Sequence, residues 1–360
     1  MTMISKHTVT AALASALLLF SVGACSKDKT EGKEGSDDGA GKTLPAKGSF
    51  AYLPKNSNLI VGVAPTQITA SSMFKEIVEP MLKQQAASEY ETIQESCLGS
   101  IESVIFGGES EQEDTMVVAI KGLDKAKVKT CAEASAKLSQ ESIEIGEDGT
   151  LTKVISQGET AYIGWLGEDT MVMGTDAKAK AAVEAIVSRD EGLNEAMQAL
   201  VGKTDTGASV WFAMQNPKPE EAGNMPYKIK SAQGSVSLVS GLKVDIGAEA
   251  VSPEEAKRMV EEFTTQLNQM KSQPPFGKFA SKAEIKADGS QVNLTLALSG
   301  ADVDELVPIV QQQVAPLMMM MMMSAGGGMQ GGMMPGGDMG DMGDDMAEDG
   351  DMGAEDTAAE

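Results

Sequence analysis

SVSLVSGLKVDIGAEAVSPEEAKRMVEEFTTQL, residues 235–267, sets out two strands and a helix in succession. Residues 235–240 and 242–250 mix apolar and polar side chains at the short period of strands, on either side of Gly241. The period then changes. Ser252 is placed to cap a helix, Pro253 takes the first helical position where its missing N–H does no harm, and Glu255 stands three residues after the cap. Met259, Val260, Phe263 and Leu267 carry the helix onward. A hairpin across Asp288-Gly289 follows, joining 283–286 to 292–298, and 302–317 reads as a closing helix with Pro308 as its weak point.

The same order recurs toward the N-terminus. A strand at 209–214 opens the second half, and a strand at 59–63 opens the first. Residues 71–85 read as a helix with Met73, Ile77, Val78, Met81 and Leu82 on one side, and Pro80 predicts a kink or an early end. Strands at 101–106 and 115–120 precede a helix over 124–138. A meander then turns at Asp148-Gly149, Gln157-Gly158 and 167–169, ends at Met173, and is closed by a helix over 177–187. This recurrence predicts an α+β chain of two repeated domains, 49–203 and 204–323, each an antiparallel sheet with helices packed on one face. The boundary is placed near 202–207.

Residues 1–24 read as an export signal. Lys6 gives a positive start, 9–20 is an uncharged apolar run too short for a stable membrane span, and small residues precede Cys25. Val22-Gly23-Ala24-Cys25 resembles the bacterial lipoprotein signal. The resemblance implies cleavage before Cys25, a thioether from its sulfur to diacylglycerol, and acylation of the new amino terminus with a chain such as palmitate. The membrane would then be reached through covalent lipid, without a basic patch. Ser26 stands where an aspartate would resemble an inner-membrane retention signal, so the expected address is the outer membrane, with the body facing the periplasm or the exterior. Residues 25–48 are too polar to bury a core and form a lipidated flexible tether. A tether of about 23 residues has a root-mean-square span of roughly 25–30 Å.

Composition removes several function classes. The formal net charge of −24 over 360 residues disfavours gripping nucleic acid. The one histidine, His7, lies in the signal, so the mature chain lacks an imidazole base or ligand for serine triads, cysteine–histidine dyads and histidine-ligated zinc or iron. Carboxylate pairs and serine–lysine chemistry stay open, but no constellation of them stands out. The expectation is a non-catalytic protein with no cofactor beyond the lipid on Cys25.

With Cys25 acylated, Cys97 and Cys131 are the cysteines left, and export would place them where thiols oxidise. A structural bridge between them is the expected outcome; a redox pair would more usually show Cys-x-x-Cys spacing. Closing a loop of about 34 residues would stabilise by roughly 3–4 kcal/mol on the chain-entropy model. Cys97 leading into 101–107, then Lys121-Gly122-Leu123-Asp124 and Cys131, resembles uncharacterised exported lipoproteins of myxobacteria and their relatives. That resemblance implies an envelope lipoprotein with the same bridge and supplies no activity.

Six consecutive methionines at 318–323 lead into a tail, 324–360, of Gly, Met, Asp and Glu without Lys or Arg. Composition predicts disorder there. Met329, Met333, Met334, Met339, Met342, Met346 and Met352 offer thioethers that suit Cu(I) or Ag(I). The competing readings are an acidic low-complexity tail without ligand geometry, and a sink for oxidants. Trp165 and Trp211 fall in predicted strands and are read as packing residues. Taken together these features predict a membrane-anchored envelope lipoprotein that acts as a binding or structural module with an unidentified protein partner. The alternative is a soft-metal-binding lipoprotein that uses its tail.

Overall fold

The computed structural model describes residues 50, 52–80, 83, 101–110, 116–123, 128, 143–156, 159–188, 192–219 and 227–313. Cys25, Cys97, Cys131, the expected tether and the methionine-rich tail lie outside them. The first half contributes β1 (Leu59–Val63), α1 (Pro65–Ala70), a π-helical turn (Phe74–Val78), β2 (Ser103–Gly108), β3 (Val117–Lys121), β4 (Ile143–Asp148), β5 (Leu151–Ser156), β6 (Glu159–Leu166), β7 (Thr170–Thr175), α2 (Asp176–Ser188) and α3 (Glu195–Val201). The second contributes β8 (Val210–Gln215), β9 (Ile229–Ser237), β10 (Gly241–Ala250), α4 (Pro253–Lys271), α5 (Gly277–Ala280), β11 (Ala283–Asp288), β12 (Gln291–Ser299) and α6 (Gly300–Gln313).

These strands make one sheet, where two were expected. Its order is β11-β12-β10-β9-β8-β1-β2-β3-β7-β6-β5-β4, with antiparallel pairing throughout. The halves meet where β1 pairs with β8, Leu59 opposite Met214 and Val63 opposite Val210. The reason is that β1 and β8 are apolar on both faces and each has an edge left over from its own half, so pairing them satisfies backbone groups that would otherwise be open. Strand order runs outward alike from this pair. On one side it is β1-β2-β3 with β7 returning beside β3; on the other it is β8-β9-β10 with β12 returning beside β10.

The registers assign every strand residue to a face, since opposed residues share one. On the first face, Ile60, Ile105, Val117, Ala119, Val172 and Trp211 form the main core under α2 and α3, joined by Val183, Ile186, Met197 and Leu200. Glycines let the helix approach: a Cβ at Gly174 would come within 2.6 Å of the Ala179 Cβ. On the second face, Leu296, Leu298 and Leu242 pack under α6, and Val292, Ala248 and Ile285 pack under α4. Helices α2 and α3 therefore pack on one face of the sheet and α4 and α6 on the other, so the helices of the single sheet are not confined to one face. Met73, Ile77 and Val78 from the π-helical turn join the α6 cluster, and Gln311 Nε2 donates to the Glu76 carbonyl at 2.7 Å. Among the described residues no helix is long and apolar enough to cross a membrane.

Local signals are realised with small shifts. Ser252 Oγ accepts from the Glu255 N–H at 3.2 Å, as the cap predicts. Glu255 does not turn back to the cap; its carboxylate accepts from the Lys228 N–H at 3.0 Å and pairs with Arg258, so the helix start is tied to the approach to β9. Gly149 and Gly289 take positive φ, 66° and 58°, at the two predicted Asp-Gly turns. α6 begins at Gly300 and passes through Pro308 without ending.

Candidate functional site

The sequence-derived site residues, Cys25, Cys97, Cys131, Met329, Met333, Met334, Met339, Met342 and Met346, all fall outside the described residues, so the structure neither assembles nor separates them. What it does bring together is a polar sheet face that strand spacing alone did not suggest. On the side away from α4 and α6, β9 presents Ser231, Gln233 and Ser235, β10 presents Lys243, Asp245 and Glu249, β12 presents Gln291, Asn293 and Thr295, and β11 presents Glu284, Lys286 and Asp288.

Among the described residues no helix packs on this face: the helix clusters of this half use Ile285, Val292, Leu296 and Leu298, on the other side. Lys243, Asp245, Asn293 and Thr295 are exposed. The centre of the face is Gly247, opposed by Gln233 on one side and Asn293 on the other. A Cβ there would sit 2.5 Å from Gln233 Nε2 and 3.4 Å from Asn293 Oδ1, so both side-chain amides close over the glycine. An amide carries donors and an acceptor, and flanking charges of both signs surround this pair. The arrangement can exchange hydrogen bonds with an extended or flat polar surface; it contains no nucleophile paired with a base.

The depressions elsewhere are shallow. One of about 420 Å³ is lined by Lys271, Ser272, Pro274, Pro275, Gly277, Lys278 and Ser281. Its hydroxyls and one of its lysines are committed: Ser272 Oγ donates to the Gln269 carbonyl at 2.7 Å, Ser281 Oγ to the Gly277 carbonyl at 2.7 Å, and Lys278 pairs with Glu305. Serine–lysine chemistry needs a hydroxyl aimed at a neutral amine, and these hydroxyls close helical turns instead. A second depression, about 190 Å³, is lined by Thr66, Gln67, Ala70, Ser71 and Val239.

Buried polar groups among the described residues serve the fold. Asp302 accepts from Lys282 and from Ser299, and these hydrogen bonds hold its carboxyl well below the usual carboxylate range. Ser209 Oγ donates to Gln67 Oε1 at 3.1 Å and accepts from the Leu238 N–H at 3.0 Å. Burial pushes the Tyr52 hydroxyl up, beside Phe50, whose ring meets Trp211 edge-on at 5.8 Å. Trp211 is buried and Trp165 packs on the second-face cluster, as packing residues should. No group of three or more His, Cys, Asp or Glu placed to hold a metal occurs among the described residues.

No family model and no curated protein matches this chain. A solved structure titled "Structure of crystal form IV of TP0453" is similar at TM-score 0.42 and 9% identity, over 73% of this chain and 96% of that one, a likeness too distant to bear on function.

Proposed function

We propose that the chain is a membrane-anchored envelope lipoprotein whose body is a non-catalytic binding or structural module, held to the outer membrane by lipid on Cys25. The observation that supports a binding role is the polar face around Gln233, Gly247 and Asn293, on which no helix packs among the described residues. A sheet face on which no described helix packs, rich in amides, hydroxyls and mixed charges, suits a polar protein partner better than an apolar ligand. The same reading treats 49–203 and 204–323 as a repeated unit fused through one sheet, which the matching strand order about β1 and β8 supports. A Cys97–Cys131 bridge belongs to it as well, and non-reducing peptide mapping would find it.

Two measurements test the reading separately. Labelled palmitate should enter the wild-type chain and fail to enter Cys25→Ala, with the variant lost from the membrane fraction; equal labelling sinks the anchor. A photo-crosslinking residue at Asn293 should trap one discrete protein in cells, whereas the same residue at Glu261, exposed on α4, should not. No adduct at Asn293 would remove the binding face.

The soft-metal alternative rests on the methionines of the tail. It predicts tight Cu(I) binding in an anaerobic competition titration that disappears when 324–360 are deleted, and unchanged affinity would end it.

A further inference from the structure

Among the described residues the sheet ends on two edge strands, β4 and β11, and their chemistry differs. β4 reads Ile143-Glu144-Ile145-Gly146-Glu147-Asp148, with acids as its only charges. Laid antiparallel on itself along its full length, it would set Glu144 against Glu147, and like charges directly opposite repel.

The other edge reads Lys282-Ala283-Glu284-Ile285-Lys286-Ala287-Asp288. Charges fall on alternate residues and alternate in sign, with apolar residues between. Reversal of this segment about Ile285 places Glu284 opposite Lys286 of the second copy, Lys286 opposite Glu284, Ala283 opposite Ala287, and Lys282 opposite Asp288. Every charge meets its opposite, and every apolar residue meets an apolar one. The two apolar faces coincide too, because Ala283, Ile285 and Ala287 share one side of β11 and Glu284, Lys286 and Asp288 share the other, with Lys282 in the turn just before the strand.

We propose that β11 is a homodimer edge: two copies join antiparallel about a two-fold axis at Ile285 and continue one sheet across both molecules. Among the described residues β11 pairs with β12 alone, and α4 packs on the Ile285 face of the strand. Glu284 and Lys286 are 64% and 75% exposed and satisfy each other along the strand, Nζ to Oε2 2.6 Å, so both can turn to a facing strand without breaking a buried contact. Lys282 is engaged with Asp302, which makes the outer pair secondary to the inner two. A two-fold contact is self-complementary and closes on itself, and the acidic β4 edges left outside repel one another, so assembly stops at two.

Sedimentation of the full chain over a range of concentrations tests this. Wild type should show a monomer–dimer equilibrium. Glu284→Lys and Lys286→Glu each turn both symmetry-related inner pairs repulsive, and each should weaken the dimer by about tenfold or more. The double reversal E284K/K286E restores complementarity and should dimerise like wild type. An equal mixture of the two single variants should form mixed dimers that neither forms alone, a result that damage to the fold could not produce. A wild type that stays monomeric, a dimer indifferent to both single reversals, or growth into larger assemblies would overturn the proposal.

Discussion

Ser299 and Asp302 answer each other at the start of α6. The Asp302 N–H donates to Ser299 Oγ at 3.3 Å, and the Ser299 N–H donates to Asp302 Oδ2 at 2.8 Å, a reciprocal cap that satisfies two backbone donors. Lys282 adds a charged donor to the same carboxylate. Ser299→Ala should therefore cost about 1 kcal/mol, read from chemical denaturation midpoints. The acid has a pH signature of its own. Its folded-state pKa lies below the unfolded value, so its contribution is present above about pH 3.9 and is lost as pH falls through the lower, folded value. Thermal melts of wild type and Asp302→Asn should thus differ most near neutrality and converge in acid; a constant gap would mean that the carboxylate charge is not what matters.

Among the elements, α6 shows what a sequence signal can and cannot decide. Pro308 removes one N–H from the helix, yet Val303, Leu306 and Val307 on one side and Val310 beyond it all pack in one cluster. Burial of that stripe outweighs the missing hydrogen bond. Pro308→Ala at this exposed position should raise stability by roughly 1–3 kcal/mol, visible as a higher melting temperature. A fall instead would show that the proline bend is needed for the stripe to reach Leu296 and Leu298. Strong periodicity made β1, β10, β12, α2 and the start of α4 legible within a residue or two, while α4 runs on past Leu267 to Lys271. The beginning of β9 was not, because Lys230-Ser231-Ala232-Gln233-Gly234 has one small apolar residue and resembles a loop until its polar side is known to face away from the helices. α3 was missed although Asn194 caps it, Oδ1 accepting from Met197 N–H at 2.9 Å; a seven-residue helix carries too few turns for periodicity to speak. The polar face was illegible for the same reason as β9, since it exists only once four strands are in register.

At the scale of the molecule, the seam between β1 and β8 decides whether the halves unfold together. Which strands meet across a sheet depends on long-range pairing, and apolar strands such as 59–63 and 209–214 read alike from either side, so sequence order pointed to two sheets. In the structure the seam is also core. Ile60 from the first half and Ala213 and Trp211 from the second belong to one buried cluster, and the π-helical turn of the first half packs with α6 of the second. Unfolding should then be a single transition, with tryptophan fluorescence and far-UV circular dichroism superimposing along a denaturant gradient. Gly62 supplies the sharper test. It lies opposite Trp211, and a Cβ there would fall 2.1 Å from Trp211 Cε2, while Phe50 holds the indole from its edge. Gly62→Ala should cost about 1–3 kcal/mol of overpacking strain. Because the strain sits on the shared seam, both probes should shift to lower denaturant together. Separate shifts, with one transition left in place, would mean that the two halves fold as independent units and that the single sheet is a contact between them rather than their common core.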